Sequence, residues 1–251
     1  MAKSPRDPEP APAEPRGYAH WSRDPAVGLF AVMPLWLTYE ALRWQVAPAD
    51  RNGAEDVMLR ALEQLPWRGL LLLRSLLGAG LLLAAASLMR RQVPWLRVTL
   101  LVAVEGSFYG VLMGPVASLL TQHAARVLAA APPGEGGLAA DLVGSLGAGI
   151  FEELLFRLGL LPLLAWLWLQ VARSWSMPRW TAGIVAVLLS ALVFAWFHHL
   201  CGEPFERSRF LFRTAAGILL GLLMWFRGFG VCVYTHACYD TYYYLTHSTG
   251  P

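Results

Sequence analysis

The chain has 251 residues, of which 56% are hydrophobic and 15% charged, with a formal net charge of +3 and a mean hydropathy of +0.46. A water-soluble domain of ordinary composition carries about 25% charged residues, so the composition argues against one and for a chain that crosses a bilayer several times. The small net charge is not gathered into a basic stripe, which argues against nucleic acid as a partner.

In chain order, residues 1–24 are rich in Pro, Ala, Glu and Arg and lack the apolar centre of a signal peptide, so they read as a disordered tail. Residues 25–126 hold the first apolar spans, expected at Ala26–Leu42, Gly69–Met89 and Val98–Leu120. Each is close to the roughly 20 residues a bilayer requires. Between the first two, Val57, Leu59, Leu62 and Leu65 suggest a surface amphipathic helix over Ala54–Leu65. Residues 127–138, with the run Pro132-Pro133-Gly134-Glu135-Gly136-Gly137, read as a linker. Residues 139–251 follow as a second helix group, with spans expected at Leu138–Leu169, Thr181–Leu200, Phe210–Phe226 and Phe229–Tyr244. The first of these is too long for one straight span, and Pro162 is expected to kink or break it. The fold class is therefore all-α: a polytopic transmembrane bundle of six to eight spans. Trp44, Trp67, Trp95, Trp175 and Trp180 fall near span ends, as interfacial anchors do. Seven spans and the positions of Arg90, Arg91, Arg97, Arg173 and Arg179 would place the N-terminus in the cytoplasm. The pairs Gly110/Gly114 and Gly217/Gly221 suit close helix packing. Cys201, Cys232 and Cys238 form no metal-binding pattern and read as small buried apolar residues.

The polar residues inside the apolar runs are the anomaly, because an ionisable group at bilayer depth costs roughly 2.5–3.5 kcal/mol on insertion scales. Glu152, Glu153 and Arg157 lie on the first helix after the linker. Glu153 and Arg157 are four apart and share a face, so they can pair; Glu152 is turned about 100° away. His198 and His199 end the next apolar run. His236 and Asp240, again four apart, share a face of the last. Glu105 and Arg74 read as structural, with mutual pairing one option. Taken singly, each set has a plain structural reading: an ion pair, an interfacial histidine, a helix clamp. Their co-occurrence on separate helices supports water activation. Glu152 would serve as general base, His198 would orient the water or carry the proton, and His236 with Asp240 would stabilise an oxyanion. Asp240 donates a hydrogen bond only when protonated. A second reading makes His198, His236, Glu152 and Asp240 candidate ligands of Zn²⁺ with an open water position. A third is a non-catalytic scaffold or immunity protein.

Glu152-Glu153-x-x-x-Arg157, Phe194-x-x-x-His198 and His236-x-x-x-Asp240 together resemble the CPBP family of intramembrane proteases, which process CAAX proteins and bacteriocins. The resemblance covers about Leu138 to Tyr244. It implies peptide-bond hydrolysis in or beside the bilayer, with no cofactor. Glu152 and His198 would activate water, Glu153 and Arg157 would support the site, and His236 and the residue four later would form the oxyanion hole. Asp240 departs from the family, which usually has Asn there. The Ala-, Arg- and Gly-rich composition suits a bacterial inner-membrane protein. The expected substrate is then a membrane-anchored protein or peptide with a C-terminal tail, as in relatives of the myxosortase type. The lipid bilayer is the other expected partner, and the oligomeric state stays open.

Overall fold

The computed structural model describes residues 17–46, 52–63, 69–121, 137–201 and 203–247, which contain helices and no strand. Most of the N-terminal tail and of the linker, together with Trp67 and Leu65, lies outside the described residues. A short helix α1 (Tyr18–Trp21) leads into α2 (Pro25–Leu42), which ends in a 3-10 turn at Arg43–Gln45. Then come α3 (Gly53–Glu63), α4 (Gly69–Arg90), α5 (Trp95–Thr121) and α6 (Gly137–Gly147). From α6 the chain widens into π-helical turns at Ala148–Glu152 and Leu154–Leu160 and tightens again into α7 (Leu161–Ser174). α8 (Thr181–Leu200), α9 (Arg207–Arg227) and α10 (Phe229–His247) complete the bundle.

Local chemistry sets several of these ends. Asp24 caps α2, its carboxylate accepting from the amides of Ala26 at 2.9 Å and Val27 at 3.2 Å, with Pro25 at the first helical position, where its missing N–H costs nothing. Arg91, just after α4, pairs with the same Asp24 carboxylate and ties the start of α2 to the end of α4. Gly228 joins α9 to α10 at φ +91°. A side chain there would be strained and would also run into the backbone of Ser22 and Arg23.

Six helical stretches are long and apolar enough to cross a membrane: 25–45, 71–90, 95–121, 137–174, 181–200 and 207–227. The seventh expected span, Phe229–Tyr244, is not among them. It forms α10, which sits inside the bundle against α2, α5, α6, the first π turn and α9. Its first half, Phe229–Ala237, is buried and so carries Thr235 and His236 without exposing them to lipid, whereas Asp240 is half-buried and Tyr242 is exposed. The fit is close because small residues line α5. A Cβ on Gly110 would lie 2.8 Å from the Cβ of Cys238 and 2.8 Å from the Thr235 carbonyl oxygen. Gly217 and Gly221 make the same kind of approach to Ala191 and Val187 of α8. Both glycine pairs thus serve packing.

Four expectations need correction. Pro162 does not break the long helix at its own position. It opens α7, and the distortion lies upstream, where the π turns run up to the proline. Its missing N–H sits where the wide turns give way to a normal helix. Glu105 and Arg74 do not pair with each other. Glu105 binds Arg227 (Nη2 to Oε2, 2.7 Å) and accepts from the Tyr18 hydroxyl, while Arg74 binds Glu40 at 2.6 Å. Cys201 is exposed rather than buried. On α3 the buried face is Ala54 and Glu55, with Met58 packed on the core, whereas Val57 is exposed. Trp44, Trp95, Trp175 and Trp180 are all exposed at helix ends, as anchors require.

Candidate active site

The six site residues expected from the sequence converge. Glu152 closes the first π turn, Glu153 stands between the two, and Arg157 lies in the second. His198 is in the last turn of α8, and His236 and Asp240 are on α10. Glu152, His198, His236 and Asp240 line a cavity of about 600 Å³; Glu153 and Arg157 lie behind it, fully buried.

The rear layer is an ion pair with additional hydrogen bonds. Arg157 Nη1 is 3.1 Å from Glu153 Oε1, and Arg157 Nη2 donates to the Gly217 carbonyl at 3.3 Å. The guanidinium also lies over the Phe194 ring, 4.6 Å from its centroid. Glu153 Oε2 accepts from the Cys232 thiol at 2.9 Å. Glu153 Oε1 also accepts from His236 Nδ1 at 2.7 Å. A buried charge is tolerated when it is paired and hydrogen-bonded like this. Because Nδ1 of His236 donates to Glu153, Nε2 is the nitrogen turned toward the cavity.

The front layer is looser. His198 Nδ1 donates to the Phe194 carbonyl at 3.0 Å, the ordinary i−4 partner, so its Nε2 also faces forward. Glu152 Oε2 lies 3.8 Å from His198 Nε2 and 3.9 Å from His236 Nε2. Neither separation is a hydrogen bond, and among the described residues this buried oxygen has no hydrogen-bond partner. Asp240 Oδ2 is 3.5 Å from His236 Nε2. The other oxygen of Glu152, Oε1, accepts a 2.7 Å hydrogen bond from Asn52 Nδ2.

Asn52 is a cavity residue that sequence reasoning missed. It lies in the α2–α3 connection, one hundred residues from Glu152 in the chain, with no recognisable motif around it. The cavity is therefore not built by the C-terminal helices alone: Asn52 and Met113 of α5 also line it. Of the three glycines before Glu152, Gly147 faces Asn52 and Gly149 faces Ala237 of α10; only Gly144 stands at the cavity with open space beside it. At the mouth, the carboxylate of Glu203 takes both Arg213 terminal nitrogens, at 2.7 and 2.8 Å. Burial pushes the Glu203 carboxyl up, but the Arg213 hydrogen bonds outweigh it and hold the group below the usual carboxylate range.

Among the described residues, no group of three or more His, Cys, Asp or Glu side chains is placed to hold a metal ion. The two imidazole Nε2 atoms face one carboxylate oxygen instead.

The fold and its buried polar centre define a multi-pass helical membrane protein whose carboxylate–imidazole site opens into an internal cavity. Residues 135–242 match the family model described as Type II CAAX prenyl endopeptidase Rce1-like. The match, which spans less than half of the chain, is consistent with the CPBP family of intramembrane proteases. No curated protein and no solved structure matches the chain. The matched segment contains all six expected site residues and excludes Asn52.

Proposed function

We propose that the protein is a metal-independent intramembrane endopeptidase in which Glu152 activates the attacking water. The observation that carries this reading is the Oε2 atom of Glu152. It is buried, without a hydrogen-bond partner among the described residues, and faced by the Nε2 atoms of His198 and His236 at 3.8 and 3.9 Å. A water molecule bound there can give its proton to Glu152 while its oxygen attacks the scissile carbonyl carbon, with His198 orienting it. The oxyanion that forms is met by Nε2–H of a protonated His236 and by Asp240 in its carboxylic acid form. Collapse of the tetrahedral species breaks the C–N bond, and the proton held by Glu152 passes to the leaving amine. Glu153 and Arg157 act from behind, through the hydrogen bond that orients His236.

A membrane-anchored protein or peptide cleaved near a C-terminal tail is the proposed substrate class, in a bacterial inner membrane. The cavity lies within a bundle of membrane-length helices, which suits a substrate delivered from the bilayer. The test compares the membrane proteomes of cells carrying the wild-type protein, no protein, and Glu152→Gln at matched abundance, reading C-terminal peptides. Proteins that keep their tails in the null strain and in E152Q alone identify the substrate. Normal processing by E152Q would sink the reading. Stoichiometric Zn²⁺ in purified protein, with loss of activity on chelation, would instead favour a metalloprotease.

A further inference from the structure

We infer that Asn52, contributed from outside the Rce1-like segment, is a positioning residue for Glu152: its amide holds Oε1 so that Oε2 faces the two histidines. The inference rests on the reading of Glu152 as the base, but its test does not.

Three observations fix the arrangement. First, the orientation of the Asn52 amide is set from both ends. Its Oδ1 accepts from the Ala54 amide at 2.8 Å, which caps the start of α3, so Nδ2 is the end that donates to Glu152 at 2.7 Å. Second, room is made for it. A Cβ on Gly147 would lie 3.0 Å from the Cβ of Asn52, so a larger residue there would press on the asparagine. Third, the first turn of α3 is anchored beneath the site. Glu55, buried, pairs with Arg43 at 3.1 Å and accepts from the Tyr39 hydroxyl, and both partners are themselves buried. Tyr39 also packs edge-on against Phe151, the residue before Glu152. A cap, an anchored carboxylate and a small-residue gap thus hold one amide donor against one carboxylate oxygen.

The chemical consequence lies in how the two oxygens of Glu152 differ. A carboxylate in an apolar cavity with neither oxygen held can rotate about its terminal torsion, which has a broad energy profile. With Oε1 fixed by a donor, Oε2 keeps its line to His198 and His236. A donor to an ionised carboxylate also favours the charged form needed to accept a proton from water. Asn supplies that donor without adding charge. Asp at the same place would keep the α3 cap but set a second carboxyl group against Glu152.

The experiment uses the full-length protein in lipid nanodiscs, with dicyclohexylcarbodiimide as the probe, which attaches to protonated carboxyl groups in apolar surroundings. The labelled fraction of Glu152 is read by mass spectrometry across pH for wild type, Asn52→Asp and Asn52→Ser. Both variants keep an α3 cap and lose the amide donor. In both, the labelled fraction of Glu152 at neutral pH is expected to rise about tenfold. A double-mutant cycle of Asn52→Ser with Glu152→Leu, read by thermal unfolding, serves as the second measurement and is expected to show that the two changes are not additive. Labelling curves that coincide with wild type would overturn the assignment, as would strict additivity in the cycle if Glu152 resists the probe. Neither readout needs a substrate. A failed Asn52 prediction is thereby separable from a failed protease reading, which Glu152→Gln tests.

Discussion

His236 and Glu153 are joined by a 2.7 Å hydrogen bond across 83 residues of sequence, from α10 to the π-distorted helix. This bond connects the two layers of the site. Behind it stands the Arg157 ion pair, and in front of it the imidazole reaches the cavity. It also makes the orientation of the His236 ring a consequence of the buried ion pair.

Removing one partner of that pair is expected to destabilise the fold. Arg157→Met leaves the Glu153 carboxylate buried with its main countercharge gone, which typically costs about 3–5 kcal/mol. Thermal unfolding in detergent, followed by tryptophan fluorescence, measures this. A melting temperature equal to wild type would show that Arg157 contributes nothing to stability.

At Asp240 the expected direction is a gain. Asn donates a hydrogen bond at every pH, whereas Asp donates only when protonated. Asp240→Asn should therefore retain activity and extend it toward alkaline pH, while Asp240→Ala should lose about 10²–10³ in turnover, as removal of an oxyanion donor does. The check is the pH profile of tail removal from a substrate found by the proteome comparison. An unchanged profile in D240N would remove Asp240 from the oxyanion role.

Gly110→Ala tests the α5–α10 contact. The new methyl would meet Cys238 and Thr235 of α10 at 2.8 Å, and overpacking of this kind costs about 1–3 kcal/mol. Since His236 and Asp240 ride on α10, activity is expected to fall along with the melting temperature. Gly78→Ala, where nothing lies within 4 Å of the added methyl, is the neutral control.

The Asp24–Arg91 pair gives a pH dependence of stability. The Arg91 hydrogen bond, opposed in part by burial, holds the Asp24 carboxyl below its ordinary value. Its contribution is therefore present above the unfolded-state value near 3.9 and is lost as the pH falls through the lower folded-state value. Asp24→Asn should lower the melting temperature at neutral pH by a small amount, because the pair is partly solvent-exposed. The gap to wild type should close at strongly acidic pH. An equal gap at both extremes would assign the effect to the α2 cap alone.

The sequence made much of this legible for physical reasons. Apolar runs of bilayer length announce themselves, and ionisable residues inside them are costly enough to need a reason, so Glu152, Glu153, Arg157, His198, His236 and Asp240 could be picked out together, by their co-occurrence on separate helices. Asn52 could not, because an uncharged amide in a polar connection costs nothing there and its partner is distant in sequence. The partner of Glu105 was hidden for a related reason: Arg227 sits at a helix end, where an arginine needs no explanation. The π turns left no periodic signature, since hydrophobic residues fill both sides of that stretch. The place of α10 inside the bundle was half visible. Its histidine, threonine and tyrosine content is poor for a lipid-facing helix, yet its length alone suggested a span.

That placement bears on how the protein is made. α10 is synthesised after α2, α5, α6 and α9, the helices that surround it. Its polar side chains make it the poorest candidate in the bundle for entering lipid unaided. The groove it fills is already lined with small residues by Gly106, Gly110 and Gly114 when it emerges from the ribosome. Packing against the small residues of α5 therefore carries what hydropathy alone does not supply, and the position of His236 and Asp240 depends on that contact.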